Sequence, residues 1–227
     1  MTFGVCTGYT NPEHLIKCVE SIRNQRLSSY EILVIGPEVP DAIYLELLGP
    51  DIKFLTFDET IKPLWITKKK NILAQQATYD RLCLLHDYLW LTPDWATNLQ
   101  SFEAKHPWSV LSFPQQRSDG GRFWYDWSGF EKSQEIYNRK FYTYTDWSHN
   151  NDTYISGNIF CVHRQFLLEY PLDEKLVHMQ QEDLEWSRRV SPFTHFKCAY
   201  NSLVCHQKEH RDQHFFTQLD TSDKHNE

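Results

Sequence analysis

Five short apolar runs, at residues 3–7, 32–35, 52–57, 82–85 and 108–113, punctuate the first half of the chain. Between them lie segments with helical periodicity. Strands that alternate with helices bury their apolar side chains as a mostly parallel sheet flanked by helices, so an α/β fold is expected. The first helix starts at Asn11-Pro12-Glu13, with a capping side chain and proline at the first helical position. Leu15, Cys18, Val19 and Ile22 then form one apolar face. Residues 41–48 read as a short helix, and residues 67–78 as a longer one with Ile72, Leu73 and Ala77 inward. Thr92-Pro93-Asp94 opens another, carrying Trp95, Leu99 and Phe102 on one side.

The period is lost over residues 115–152. That stretch holds Gly120-Gly121, yet ten of the 25 residues from 123 to 147 are aromatic. A disordered linker is poor in aromatics, so this segment reads as an ordered loop region over a site. A strand follows at 154–162, interrupted by Gly157-Asn158, then helices at 164–170 and 182–190 and a last strand at 196–205. No internal repeat is seen. The 227 residues suit one domain over 1–213, with halves 1–114 and 115–213, and a polar, flexible tail over 214–227.

Composition excludes several classes. A formal net charge of −7 argues against non-specific nucleic-acid binding, which needs a basic footprint. No run approaches the ~20 apolar residues of a membrane span. Residues 1–7 lack the pattern of a signal peptide, and the expected location is the cytoplasm. The six cysteines form no C-x-x-C pair, and Cys198, Cys205, His206 and His210 are too irregularly spaced for a zinc site.

In open α/β sheets ligands bind at the carboxyl ends of strands. Those ends are Thr7-Gly8-Tyr9, Gly36-Pro37-Glu38, Asp58-Glu59 and His86-Asp87-Tyr88. An aspartate there can offer a hard oxygen ligand to a divalent cation, or it can cap the next turn. Position alone leaves both open for Asp87.

The order of motifs adds to this. Val5-Cys6-Thr7-Gly8-Tyr9 and the helix after it resemble the first βα unit of glycosyltransferases of the GT-A fold, in particular the inverting family 2 type. Lys68-Lys69-Lys70-Asn71 resembles that family's basic-Asn segment, and His86-Asp87-Tyr88 stands where the family keeps its acidic metal motif. Tyr154-Ile155-Ser156-Gly157-Asn158 resembles its Gly-Asn segment beneath the acceptor, and Gln181-Glu182-Asp183-Leu184-Glu185 its catalytic segment.

The resemblance implies a nucleotide-sugar donor, UDP-sugar favoured, contacted by Thr7, Gly8, Tyr9, Lys70, Asn71, His86 and Asp87. It implies Asp183 as general base with Glu182 beside it, and Gly157 and Asn158 at a saccharide or glycan acceptor. It implies a divalent metal on Asp87. One carboxylate is a thin ligand set, so a second protein ligand is expected. His206 is the candidate by likeness to C-terminal histidine ligands, and imidazole favours Mn²⁺ over Mg²⁺.

Two departures stand out: the second strand ends in Gly36-Pro37-Glu38 instead of an acid that reads the base, and the metal motif has one acid. Trp124, Tyr125, Trp127 and Trp147 are candidates to stack on a sugar ring, or else to form a satellite core under the loop. The competing classes are a non-catalytic carbohydrate-binding protein and a nucleotidyltransferase of similar fold. The latter usually needs a Gly-rich basic loop, and residues 6–11 have one glycine and no base.

Overall fold

A computed structural model describes residues 1–123, 125–130 and 139–207. Four parallel strands form the first half of the fold: β1 (Thr2–Cys6), β2 (Glu31–Gly36), β3 (Ile52–Thr56) and β4 (Arg81–His86). The helices α1 (Pro12–Arg23), α2 (Asp41–Leu47) and α3 (Ile66–Gln76) connect them. β1 and β4 are buried on both faces, which explains their continuous apolar runs. After β4 come a short strand β5 (Leu89–Leu91), the helix α4 (Trp95–Glu103), β6 (Val110–Ser112) and β7 (Gln115–Gln116).

The second half supplies β8 (Trp127–Phe130), β9 (Arg139–Phe141), β10 (Thr153–Ile155) and β11 (Ile159–His163). It continues through α5 (Arg164–Glu169), α6 (Glu182–Val190), β12 (Lys197–Cys198) and β13 (Val204–His206). The central sheet has the order β12-β6-β11-β4-β1-β2-β3. It is parallel except at β11, which runs antiparallel to both β4 and β6. Two three-stranded sheets flank it, β10-β8-β9 and β5-β13-β7. No helix among the described residues is long and apolar enough to cross a membrane.

Two expectations change. The single strand expected at 196–205 is two short strands in different sheets, because Ser202 N–H bonds to Ala199 O and turns the chain between them. β5 was not expected, since three residues directly after a turn carry no readable period. The tail expected at 214–227 and the residue Trp124 lie outside the described residues.

The strand directions place the site. Antiparallel pairing sets Ile159 opposite Leu85, so the chain entering β11 passes beside the chain leaving β4. His86 N–H accordingly donates to Asn158 O at 3.1 Å. β13 pairs antiparallel with β5, His206 opposite Leu89, and so returns residue 206 to the same end of the sheet.

Candidate active site

The carboxyl ends of β1 and β4 open onto a cavity of about 430 Å³. Thr7, Gly8, His86, Asp87 and Tyr88 line it at the strand ends, with Lys69 from α3 and Glu59, Leu64 and His178 from loops. Thr7 O–H donates to Asp87 Oδ2 at 2.7 Å and accepts from Tyr9 N–H at 2.9 Å. One hydroxyl thus sets both the carboxylate and the turn. The turn puts Tyr9 in the left-handed region at φ 53°. Burial first, then the charge of Asp87, pushes the Tyr9 phenol up to about 12. Gly36, at the end of β2, approaches closely: a Cβ there would lie 2.7 Å from Thr7 O.

Leu64 (φ 57°), Met179 (φ 71°) and Gln181 (φ 60°) are the other non-glycine residues with positive φ among those described. Leu64 lines the cavity, Met179 follows the cavity-lining His178, and Gln181 precedes Glu182. Backbone strain of this kind gathers where the surroundings over-determine the chain, often at functional sites.

Two hydrogen bonds and two peptide links connect Asp87 with Asp183. Tyr88 O–H donates to Asn158 Oδ1 at 2.6 Å. The next residue back, Gly157, donates its N–H to Asp183 Oδ2 at 3.0 Å, and Tyr154 O–H donates to the same oxygen. Burial, then Asp87 and Asp183, raise the Tyr88 phenol far above its ordinary value, so it stays a donor. Ser187 secures the start of α6 by accepting from Ile155 N–H and donating to Asp183 O.

The two adjacent acids sit in unlike surroundings. Burial, then the Glu182 charge, raises the Asp183 carboxyl, while Tyr154, Lys70 and the Gly157 N–H pull it back only in part. Burial also pushes Glu182 up, but His178, its own backbone N–H and Lys70 more than offset it and leave it lowered. His178 Nδ1 lies 3.7 Å from Glu182 Oε1.

The lysines divide. Lys69 lines the cavity and pairs with Glu59 at 2.6 Å. Lys70 is fully buried and donates to Gly157 O at 2.6 Å. Asn71 spends its amide on the chain, bonding Leu172 O, Leu172 N–H and Glu174 Oε1, each at 3.0 Å.

His206 is buried, stacked on Phe123 with ring centroids 4.0 Å apart, and its Nε2 lies 2.9 Å from Gln115 Oε1. Its ring is 5.9 Å from that of Tyr88. Among the described residues no group of three or more His, Cys, Asp or Glu side chains converges to hold a metal ion. The Asp87 carboxylate at the cavity is a hard oxygen donor of the kind a divalent cation takes.

Of the aromatic candidates, Trp127 is fully buried and donates to Asp146 O at 3.1 Å. Trp147 packs on Phe102 and His106. Tyr125 stands edge-on to Tyr154, with centroids 6.4 Å apart, next to Asp183. His178 was not singled out in the sequence, and Glu59, Lys69 and Tyr154 lay in named segments without being assigned a role. Only the lysine carried a signal, since Ile66, Lys69, Lys70 and Leu73 share the inward face of α3.

No protein-family model matches the chain, and no curated protein matches its sequence. Solved structures do match its fold. TarS of S. aureus, residues 1–349, is 14% identical over 92% of this chain, with a TM-score of 0.58. GalNAc-T7, solved with UDP, GalNAc and Mn²⁺, is 15% identical over 92% of it, with a TM-score of 0.69. A longer TarS structure is 14% identical over 98%, with a TM-score of 0.62. The chain spans 58%, 43% and 39% of the lengths of these three. Likeness at this level establishes the architecture: the chain has the GT-A glycosyltransferase fold.

Proposed function

We propose that this protein is a glycosyltransferase that moves a sugar from a nucleotide-diphosphate sugar, a UDP-sugar by preference, to a hydroxyl of a saccharide or glycan acceptor, with inversion. The observation that carries the reading is the hydrogen-bonded arc Asp87-Tyr88–Asn158-Gly157–Asp183, which joins a strand-end carboxylate at a cavity to a second carboxylate suited to base work. The solved neighbours include TarS with UDP-GlcNAc and GalNAc-T7 with UDP, GalNAc and Mn²⁺, and they lend the reading its donor class and metal.

The donor occupies the cavity at the ends of β1 and β4, against Thr7, Gly8 and His86, with Tyr9 next in the chain after Gly8. Lys69 supplies the positive charge that faces it. Asp87, with His206 as the second protein ligand, would hold a divalent metal, Mn²⁺ by preference, and that ion would supply positive charge to the departing diphosphate. Thr7 holds the Asp87 carboxylate ready.

Asp183 takes the proton of the acceptor hydroxyl as it attacks the anomeric carbon. A carboxylate whose affinity for a proton is raised is a better base, provided it is still ionised at working pH. Tyr154 and the Gly157 N–H both donate to Asp183 Oδ2 and hold the carboxylate in place. Gly157, Asn158 and Tyr125 border the acceptor.

A panel of nucleotide sugars incubated with the protein and Mn²⁺ tests the proposal. Release of UDP from at least one, faster with a glycan acceptor and abolished by a chelator, is expected. No metal-dependent release from any nucleotide sugar, with or without acceptors, contradicts it.

A further inference from the structure

Lys70 is a fully buried cation for which donor binding gives no account, because Lys69 and not Lys70 lines the cavity. Its ammonium donates to Gly157 O at 2.6 Å and lies over the Phe160 ring, 5.5 Å from the centroid. Gly157 uses its other polar group, the N–H, on Asp183 Oδ2 at 3.0 Å. A Cβ at Gly157 would sit 3.0 Å from Asp183 Oδ2 and 3.3 Å from Lys70 Nζ. Ammonium and carboxylate thus flank one glycine, and a side chain there would make both give by a few tenths of an ångström.

We propose that Lys70 is a positioning residue for Asp183: its buried ammonium fixes the Gly157 backbone that holds the carboxylate and favours the ionised form of that carboxylate. The inference rests on the reading of Asp183 as the base. Burying a charge is costly, and a charge away from water is weakly screened, so it acts strongly on neighbouring carboxylates. The groups that face Asp183 are Lys70 from α3, Tyr154 from β10, the half-buried Tyr88 phenol after β4, and Glu182 beside it with His178 behind. Burial and Glu182 favour the protonated acid; Tyr154, the Gly157 N–H and Lys70 oppose them. Without the Lys70 charge the proton affinity of Asp183 rises, and activity that needs the carboxylate disappears at a higher pH than before.

The test pairs a ¹³C-carboxyl NMR titration of Asp183 with the pH dependence of transfer, in the wild type, Lys70→Met and Lys70→Arg. In Lys70→Met the proton affinity of Asp183 is expected to rise about tenfold, which is one pH unit. The acid limb of the rate profile should move upward by the same amount, and Lys70→Arg should restore both. The wild type provides a check that needs no Lys70 variant: the Lys70 ¹³Cε signal should inflect at the pH where Asp183 titrates, and Asp183→Asn should abolish the inflection. An Asp183 that titrates at the same pH with and without the Lys70 ammonium, or a wild-type Lys70 signal with no inflection, overturns the proposal. If the Asp183 titration moves and the acid limb stays, the coupling stands and the assignment of Asp183 as base falls.

Discussion

Asp183 and Glu182 are neighbours in sequence with opposite shifts, and that contrast separates their roles. Where environments push two carboxyls apart, the one raised is the candidate for proton transfer and the one lowered stays charged. Asp183→Asn is expected to retain nucleotide-sugar binding and lose transfer by about 10²–10⁴-fold, the usual contribution of a general base. Normal turnover in that variant removes Asp183 from the mechanism. The sign of the pH effect follows. Asp183 is raised, so transfer increases as pH rises through its titration and is lost below it. An acid limb no higher than that of an ordinary carboxylate counts against this. Thr7 is a second point at this scale. Thr7→Val deletes one hydroxyl bond to Asp87, worth about 1 kcal/mol, and donor affinity should fall about five-fold in calorimetry while the fold survives.

At the scale of elements, α3 and the loops on either side of it carry the cavity. Glu174 acts as a latch between residues 60–66 and residues 173–181. Its carboxylate binds Lys68 at 2.9 Å and Asn71 at 3.0 Å, and its carbonyl accepts from Lys62 at 2.9 Å and Trp65 at 2.7 Å. His178 N–H also donates to Leu64 O at 3.0 Å, so two cavity-lining residues depend on this junction. Glu174→Ala should reduce stability to urea by about 1–2 kcal/mol, discounted because the ion pair is partly exposed, and should weaken donor binding. Unchanged donor affinity would show that the loops do not shape the site.

The sequence made some elements plain and hid others. β1, β2 and β4 were legible because strands buried on both faces read as unbroken apolar runs. The direction of β11 was not, since an apolar run has the same composition whichever way it is laid in the sheet, and that direction is what brings Gly157 and Asn158 beside Asp87. Lys70 was expected as a donor contact, although its place three residues before Leu73 and four after Ile66 puts it on the inner side of the helix.

At the scale of the whole molecule, the second half is held to the central sheet by the fully buried Asp126. Asp126 Oδ1 accepts from Arg122 Nε at 2.9 Å, and Asp126 Oδ2 from Tyr144 O–H at 2.5 Å, while Ser112 O–H donates to Asp126 O at 2.8 Å. Trp127 follows it into the core. The many aromatics of this segment are therefore in part structural, and composition could not say which face inward. Trp127→Ala is expected to cost about 3–5 kcal/mol in equilibrium unfolding; a loss under 1 kcal/mol would deny it a core role.

The central claim spans the molecule: a nucleotide-sugar site organised on Asp87 and reaching Asp183. Calorimetric titration of UDP and UDP-sugars in Mn²⁺, comparing the wild type with Asp87→Asn, tests it most directly. The account predicts metal-dependent binding by the wild type that is lost on chelation and lost in Asp87→Asn, with the variant still folded. Equal affinity in the two proteins, or no binding of any uridine nucleotide by the wild type, would contradict it.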